Sequence, residues 1–371
     1  MKIFEYVGSL GDGGAETLVT NYCTMLNNKY SDIEASIVVL RNQPNTANTE
    51  IAKNSGTRII SILQDNRLPN KILYKLFGEK LVAYRLRKII IREKPDIIHI
   101  HLNNLSVIKS VGKSIKGIKL FYTCHSVPEA LFSGKNSREY GAAKHLIKNY
   151  DLQLIALHED MASDLNKLFN VDNTVIIRNG IDLNRFRNIK VDITKKRREL
   201  DIPAESFVVG HVGRFAEVKN HDFTIRVFNE LLNEKKNSFL LLIGDGPLKA
   251  TVENKLKDLN IFDKVRILSN RTDVPELLNC MDVFLLPSFH EGLSVSLVEA
   301  QAVGLKCIVS DKINEANFLT EDTIPMDIYL SPSEWAKTII RSDIKHKPSD
   351  SIDNYDLNKE IDILKNLYTE R

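Results

Sequence analysis

The stretch DVFLLPSFHEGLSVSLVEAQAVG, Asp282 to Gly304, decides how the whole chain is read. Val283–Leu286 is an apolar run of strand length, and Pro287 and turn residues close it. From Ser294, a residue type that caps helices, Leu297, Val298, Ala300 and Ala302 fall on one helical stripe. A buried strand, a turn and a helix make one βα unit, and such units assemble into a parallel sheet. Working outward, the same pattern predicts strands at Ile3–Val7, Ala35–Leu40, Arg58–Ile62, Asp96–Leu102, Leu120–Cys124, Leu152–Leu157 and Thr174–Arg178 in the first half. In the second half it predicts them at Phe207–Val212, Phe239–Ile243, Val265–Leu268, Val283–Leu286 and Lys306–Val309. The fold class expected is α/β with two doubly wound sheets, and 371 residues suit two domains. The polar gap Asp182–Pro203, with KKRR at Lys195–Arg198, is expected to hold the boundary. The expected domains are therefore 1–185 and 186–345, followed by a helical segment at 346–371 that can cross back to the first domain.

With 43% hydrophobic and 27% charged residues, the composition is that of a globular protein and excludes collagenous, disordered and disulfide-scaffold classes. No apolar run approaches the roughly 18 residues of a membrane span. MKIFEYVGSLGDGG lacks a signal peptide's apolar region and cleavage site, so a cytoplasmic protein is expected. The four cysteines, Cys23, Cys124, Cys280 and Cys307, lie far apart with no C-x-x-C pair, which predicts reduced, buried thiols. The net charge of +3 conceals +9 over residues 1–190 and −6 over residues 191–371. Much of the excess lies in Arg67 to Lys94, where nine Lys+Arg stand against Glu79 and Glu93. Leu73, Phe77, Leu81 and Tyr84 recur there at helical spacing. This basic amphipathic helix either docks on an anionic membrane surface, peripherally, or packs as an ordinary surface helix. No nucleic-acid partner is expected, because exposed aromatics do not interleave with the bases.

In open parallel sheets, ligands bind outside the carboxyl ends of the strands, where loops enter helices. GSLGDGGAET places Gly11, Gly13 and Gly14 in such a turn, where bare N–H groups approach an anion. The glycines at 8, 11, 13 and 14 do not form G-x-G-x-x-G, and no acid follows the second strand, so an NAD site is disfavoured. His125, Arg214, Gly244 and Glu291 each follow a strand, and Glu299 lies about a turn inside the last helix. Arg214 and Lys219, five apart, can set a guanidinium fork and a point charge on one diphosphate. Acids for hydroxyls and bases for a diphosphate describe a nucleotide-sugar pocket. His99 and His101 alternate on one strand face as two metal ligands would, but the sequence places no third ligand, and no metal is expected. Cys124 and His125 point to opposite faces, which discards a thiol nucleophile.

The segments VGRFAEVKN, LLLIGDGP and Asp273–Gly304 closely resemble the retaining glycosyltransferases of family 4, which have the GT-B fold. Glu291 and Glu299 match that family's E-x7-E motif, and GGAET, PDIIHIH, TCHS and RNGID in the first half are similar to family segments. The resemblance implies two Rossmann-like domains facing a central cleft, the first binding acceptor and the second nucleotide-sugar. It implies that Arg214 and Lys219 bind the donor diphosphate, Glu299 the ribose, and Glu291 the hydroxyls of the transferred sugar. Gly13 and Gly14 would lie beside the phosphates and acceptor, and His125 against the sugar. Gly244, Asn270, Arg271, Gly292, Leu293 and Ser294 complete the implied donor site, with Asn270 and Arg271 towards the base. The departures are Lys306 where Pro is common, Gln301 where Met is common, His158 where Ser is usual, and Asn270 where Gly is usual.

The resemblance further implies bacterial capsular or exopolysaccharide synthesis from a UDP-sugar onto a lipid-diphosphate glycan acceptor. Retention would proceed by front-face attack, without metal or other cofactor. A UDP-sugar epimerase of the same fold and a non-catalytic partner subunit are the alternatives.

Overall fold

The computed structural model of the chain describes residues 1–11, 13–63, 68–132, 138–187, 189–341 and 350–370, the side chains of 68–77 and 350 excepted. The chain divides by its contacts into Met1–Asn179 with Asn358–Arg371, and Gly180–Leu357.

The first unit is built on seven strands: β1 (Lys2–Tyr6), β2 (Glu34–Val39), β3 (Arg58–Ser61), β4 (Ile97–His101), β5 (Lys119–Thr123), β6 (Gln153–Ala156) and β7 (Val175–Ile176). They pair in parallel in the order β3-β2-β1-β4-β5-β6-β7. Every residue of β4 is buried, which is why its sequence reads as a continuous apolar run interrupted only by His99 and His101. The strand order reverses between β1 and β4, so their carboxyl ends form the topological switch point. The helix Leu357–Thr369, from the far end of the chain, belongs to this unit and buries Leu357, Ile361, Leu364 and Tyr368.

The helix Leu68–Glu93 kinks at Gly78, whose φ is 38°. Beyond the kink, Val82, Ala83, Leu86, Ile89 and Ile90 are buried, and Lys80, Tyr84, Arg87, Lys88 and Ile91 are exposed. In the basic segment expected to dock on a membrane, Arg67 and the side chains of residues 68–77, Leu73 and Phe77 among them, lie outside the described residues. Among the described residues no helix is long and apolar enough to cross a membrane.

The second unit has β8 (Phe207–Val212), β9 (Ser238–Ile243), β10 (Val265–Leu268), β11 (Val283–Leu286), β12 (Lys306–Ser310) and β13 (Thr323–Met326), all parallel, in the order β10-β9-β8-β11-β12-β13. The switch point here lies between β8 and β11. Its core gathers Phe215, Phe228, Leu240, Leu242, Leu285, Ile308 and Trp335. Trp335 packs edge-on against Phe223 at 5.3 Å and donates its indole N–H to Asp327 O at 3.2 Å.

The sequence pattern missed β13, because TIPM is short and contains Pro325. An edge strand tolerates a residue with no N–H to give, and among the described residues β13 pairs only with β12. The chain break also differs from the expected 185/186, since Asp182–Pro203 is integrated into the second unit. Its helix Ile193–Glu199 inserts Arg197, which is buried and donates to Cys280 O, Ala204 O, Ser206 O and Asp282. The crossings into and out of this unit lie side by side, with Ile181 N–H on Tyr355 O and Leu357 N–H on Ile181 O, both at 2.9 Å. Of the helical segment expected from 346, the described part is a 3-10 turn at Asp350–Tyr355 in the second unit and the helix Leu357–Thr369, with which the chain rejoins the first unit from Asn358; 346–349 lie outside the described residues.

Candidate active site

In the second unit, β8 delivers Gly213 and Arg214, a 3-10 turn at Glu217–Lys219 follows, and β11 delivers the loop that carries Glu291. Phe289 N–H on Val218 O at 2.9 Å and Asn220 Nδ2 on Pro287 O at 3.2 Å tie the two loops together. They bring Lys219 Nζ to 2.6 Å from Glu291 Oε1, with both side chains largely sheltered. Arg214 is exposed and makes no ion pair among the described residues. Beneath Lys219, His211 donates Nδ1–H to Leu285 O at 2.8 Å. Burial, then His221 and Lys219, holds His211 well below the usual histidine range, and burial with Lys219 pushes His221 down to about 4. Both rings therefore stay neutral, and Lys219 supplies the positive charge beside Glu291.

Gly244, at the end of β9, closes the site from the side. Its φ is 149°, and a Cβ there would collide with Gly213 O, so the loops after β8 and β9 touch backbone to backbone. Asn270, after β10, takes φ 55°, the left-handed conformation that Asn accepts after Gly most readily, which accounts for its standing where Gly is usual. Arg271 is bonded to Asp273 through two nitrogens, and Asp273 also receives Lys196.

Glu299 is the fifth residue of the helix Val295–Ala302. Burial raises its carboxyl to about 7, against the opposing charge of Arg185. Ser294 occupies the N-cap position but makes no side-chain cap bond, contrary to expectation; its hydroxyl lies 3.3 Å from Ser296 Oγ. The loop is held instead by Asn317, which accepts Ser294 N–H at 2.7 Å and donates to Gly292 O at 3.1 Å. Gln301 in turn donates to Asn317 O and Leu297 O and accepts from Leu319 N–H, Thr320 N–H and the Thr323 hydroxyl. Neither Asn317 nor Gln301 was singled out as a site residue; the signal was a polar amide, Gln301, within an apolar helix. Lys306, the other departure nearby, pairs with Asp322 at 3.6 Å.

In the first unit, Gly13 is the N-cap of the helix Gly14–Lys29. The buried Glu16, three residues into that helix, lies over Gly13, where a Cβ would collide with its Oε2. A cavity of about 530 Å³ opens at the carboxyl ends of β1, β2 and β4, lined by Tyr6, Asn103, Asn104, Glu79, Arg138 and Glu139 among others. Glu79 pairs with Arg138, and Glu139 accepts the N–H of Leu105 at 2.9 Å. His158, where Ser is usual, fills the same capping role by accepting Met161 N–H on Nδ1 at 3.3 Å.

His125 follows β5. Its Nε2 lies 2.8 Å from His101 Nδ1, and His101 Nε2 lies 2.7 Å from Glu5 Oε2. Tyr368 donates to Glu5 Oε1 at 2.7 Å, and His99 lies 2.5 Å from the Tyr368 hydroxyl and 2.7 Å from that of Thr123. Glu5 thus supplies the third potential ligand that the sequence did not place, all three groups being buried with ligand atoms within 4.8 Å of one another. The set is hydrogen-bonded to itself rather than open around an ion. Burial works to raise the Glu5 carboxyl, but His99 and His101 outweigh it and hold the group well below the usual range. His101 is pushed down to about 4 by burial and by His99. All four cysteines are free and buried, and burial raises the Cys124 thiol to about 12.

Two doubly wound parallel sheets with loops of this kind at both switch points are the architecture of the GT-B fold, and the comparisons give the class. The family models for Glycosyltransferase Family 4 and for Glycosyl transferases group 1 match residues 12–185 and 192–339. The chain belongs to glycosyltransferase family 4 and is an enzyme of that class. It is 29% identical over 359 residues to the putative glycosyltransferase EpsF of Bacillus subtilis, covering 94% of this chain and 89% of that protein. It is 29% identical over 247 residues to the UDP-Gal:alpha-D-GlcNAc-diphosphoundecaprenol alpha-1,3-galactosyltransferase of Escherichia coli, covering 64% of this chain and 63% of that protein. Among solved structures, Anabaena HepE with UDP-glucose superposes over 100% of both chains with a TM-score of 0.77 at 18% identity. WaaG, a glycosyltransferase involved in lipopolysaccharide biosynthesis, does so with a TM-score of 0.74 at 14% identity. At those identities the likeness establishes the fold.

Proposed function

We propose that the enzyme transfers a sugar, with retention, from a UDP-sugar to a lipid-diphosphate-linked glycan during synthesis of a surface polysaccharide. The observation that carries this is the meeting of Lys219 and Glu291 at 2.6 Å on the β8/β11 switch point, with Glu299 in the next helix. Lys219 has three donors, so it bridges the Glu291 carboxylate and a phosphate oxygen, and the exposed Arg214 takes the other phosphate. Their charge stabilises the departing diphosphate, which then helps to take the acceptor proton. Glu299 accepts the ribose hydroxyls and Glu291 those of the transferred sugar. The backbone of Gly292–Ser294, fixed by Asn317, borders the sugar, with Gly244 beside the diphosphate. The side chains supply the positive charge, and the reaction runs without metal: EDTA leaves the rate unchanged, and loss of activity restored by Mg²⁺ overturns this assignment.

The lipid-linked acceptor is suggested by the Escherichia coli relative, whose name states such a substrate. It places the reaction at a membrane, and the stripe Lys80, Tyr84, Arg87, Lys88 and Ile91, one face of a helix, meets the anionic leaflet with two exposed apolar groups among three cations. The deciding experiment mixes the enzyme with UDP-sugars and an undecaprenyl-diphosphate sugar and follows products by mass spectrometry. Transfer with retained anomeric configuration is expected, and an epimerised donor with no transfer overturns the reading. Glu299→Ala weakens free UDP as well as UDP-sugar, whereas Glu291→Ala spares UDP and slows the sugar-dependent step.

A further inference from the structure

We propose that Glu5 acts through His101 to fix the tautomer of His125, leaving His125 Nδ1 as a bare acceptor that takes a hydroxyl hydrogen from a carbohydrate ligand. The contact with a carbohydrate rests on the function proposed above; the tautomer does not.

The argument is an accounting of protons. An ionised carboxylate only accepts, so the 2.7 Å contact between Glu5 Oε2 and His101 Nε2 requires the proton on Nε2. A neutral imidazole carries one proton, so His101 Nδ1 is left as a lone pair. Its 2.8 Å neighbour, His125 Nε2, must then donate. That places the single proton of His125 on Nε2 and strips Nδ1 bare. The second branch closes the same way. Tyr368 gives its hydroxyl hydrogen to Glu5 Oε1, so its oxygen accepts from His99 Nδ1–H, which also lies 3.3 Å from Glu5 Oε2. With Glu5 ionised and the rings of His101 and His125 neutral, each donor on the path from Glu5 to His125 has one acceptor.

His125 Nδ1 is the open end of the chain. It is buried and has no hydrogen-bond partner among the described residues. It stands two residues beyond β5, on the carboxyl side of the sheet, the side on which open parallel sheets bind their ligands. A buried bare nitrogen there is satisfied by a group that donates, as a hydroxyl does, and repels a carbonyl or phosphate oxygen. Burial acts with the neighbouring rings to keep His125 and His101 neutral near pH 7. Glu5 and Tyr368 touch no ligand in this scheme, so they are positioning residues.

The test uses the full chain labelled with ¹⁵N-histidine, with long-range ¹H–¹⁵N correlation at pH 7 and assignment by His101→Asn and His125→Asn. Both rings are expected as pure Nε2–H tautomers; an Nδ1–H or imidazolium form at His125 overturns the proposal. Glu5→Met, matched in length, removes the acceptor, and an Nδ1–H signal is then expected at His125. Unchanged tautomers in that folded variant overturn the role of Glu5. Should Glu5→Met not fold, the wild-type spectrum still decides. Tyr368→Phe leaves Glu5 Oε2 in place and is expected to keep both tautomers; their loss there assigns the pattern to packing and overturns the proposal. Adding the undecaprenyl-diphosphate sugar is expected to shift the Nδ1 resonance, and no shift overturns the ligand half. The tautomers are read without ligand, and UDP binding by thermal shift is scored separately, so failure of the relay and failure of the proposed function are told apart.

Discussion

Glu299 offers the sharpest test of how the donor is held. Its carboxyl, raised by burial from an ordinary 4.5 to about 7, is part protonated in the free enzyme at neutral pH, with Arg185 the opposing charge. A carboxylate accepting two ribose hydroxyls must be ionised, so binding draws off the proton. At pH 6 only about one molecule in eleven has Glu299 ionised, and at pH 8 about ten in eleven do. Affinity for a UDP-sugar, whose diphosphate does not titrate in this range, should therefore be about tenfold weaker at pH 6 than at pH 8, or about 1.4 kcal/mol. Calorimetry in two buffers of different ionisation enthalpy should show proton release on binding at pH 6 and almost none at pH 8. Glu299→Gln, which has no proton to lose, should bind more weakly than the wild type at pH 8 and with the same affinity at pH 6 and pH 8. The sign for folding is opposite: between the ordinary carboxylate pH and about 7 the folded chain holds a proton that the unfolded chain has lost, so Glu299 lowers stability as pH rises through that window. An affinity independent of pH in the wild type, or the same tenfold change in Glu299→Gln, refutes the assignment.

Arg214→Ala and Lys219→Ala should each lower turnover by a factor on the order of 10² to 10³ with circular dichroism unchanged, as for loss of one preorganised donor; wild-type turnover in either refutes diphosphate stabilisation. Gln301→Met deprives the N–H groups of Leu319 and Thr320 and the Thr323 hydroxyl of an acceptor. It should cost about 2 to 4 kcal/mol in urea unfolding, and a loss under about 1 kcal/mol would show that water replaces the amide. The triple change Lys80, Arg87 and Lys88→Ser should weaken sedimentation with anionic liposomes by about 3 kcal/mol at low salt, from roughly 1 kcal/mol per charge; equal binding to neutral liposomes rejects the docking face.

Strands were legible in the sequence because a doubly wound sheet buries both faces and leaves unbroken apolar runs; β8, β10 and β11 begin and end where the pattern put them. TIPM failed because an edge strand needs only one partner. The βα loops announced Arg214, Lys219, Glu291 and Glu299, since polar residues after a strand stand out against the run they follow. Asn317 and Gln301 act across turns of 16 to 25 residues that no periodicity encodes. Glu5 carried a faint signal, a lone acid inside KIFEYV, but Tyr368 is 363 residues away, and only the returning helix makes the pair. The run KKRR looked like a solvated linker because charge alone does not reveal that Arg197 finds carbonyls to satisfy it.

The returning helix also sets an order of manufacture. The unit Gly180–Leu357 is continuous in sequence, so it leaves the ribosome whole. The first unit, begun earlier, cannot close over the Glu5 carboxylate until the residue that donates to it, 363 positions later, has been joined. At about 5 to 20 residues per second this is roughly 20 to 70 s in which β1 carries a charge meant for the interior without its full set of donors. The half of the enzyme that is made first is the half that is finished last.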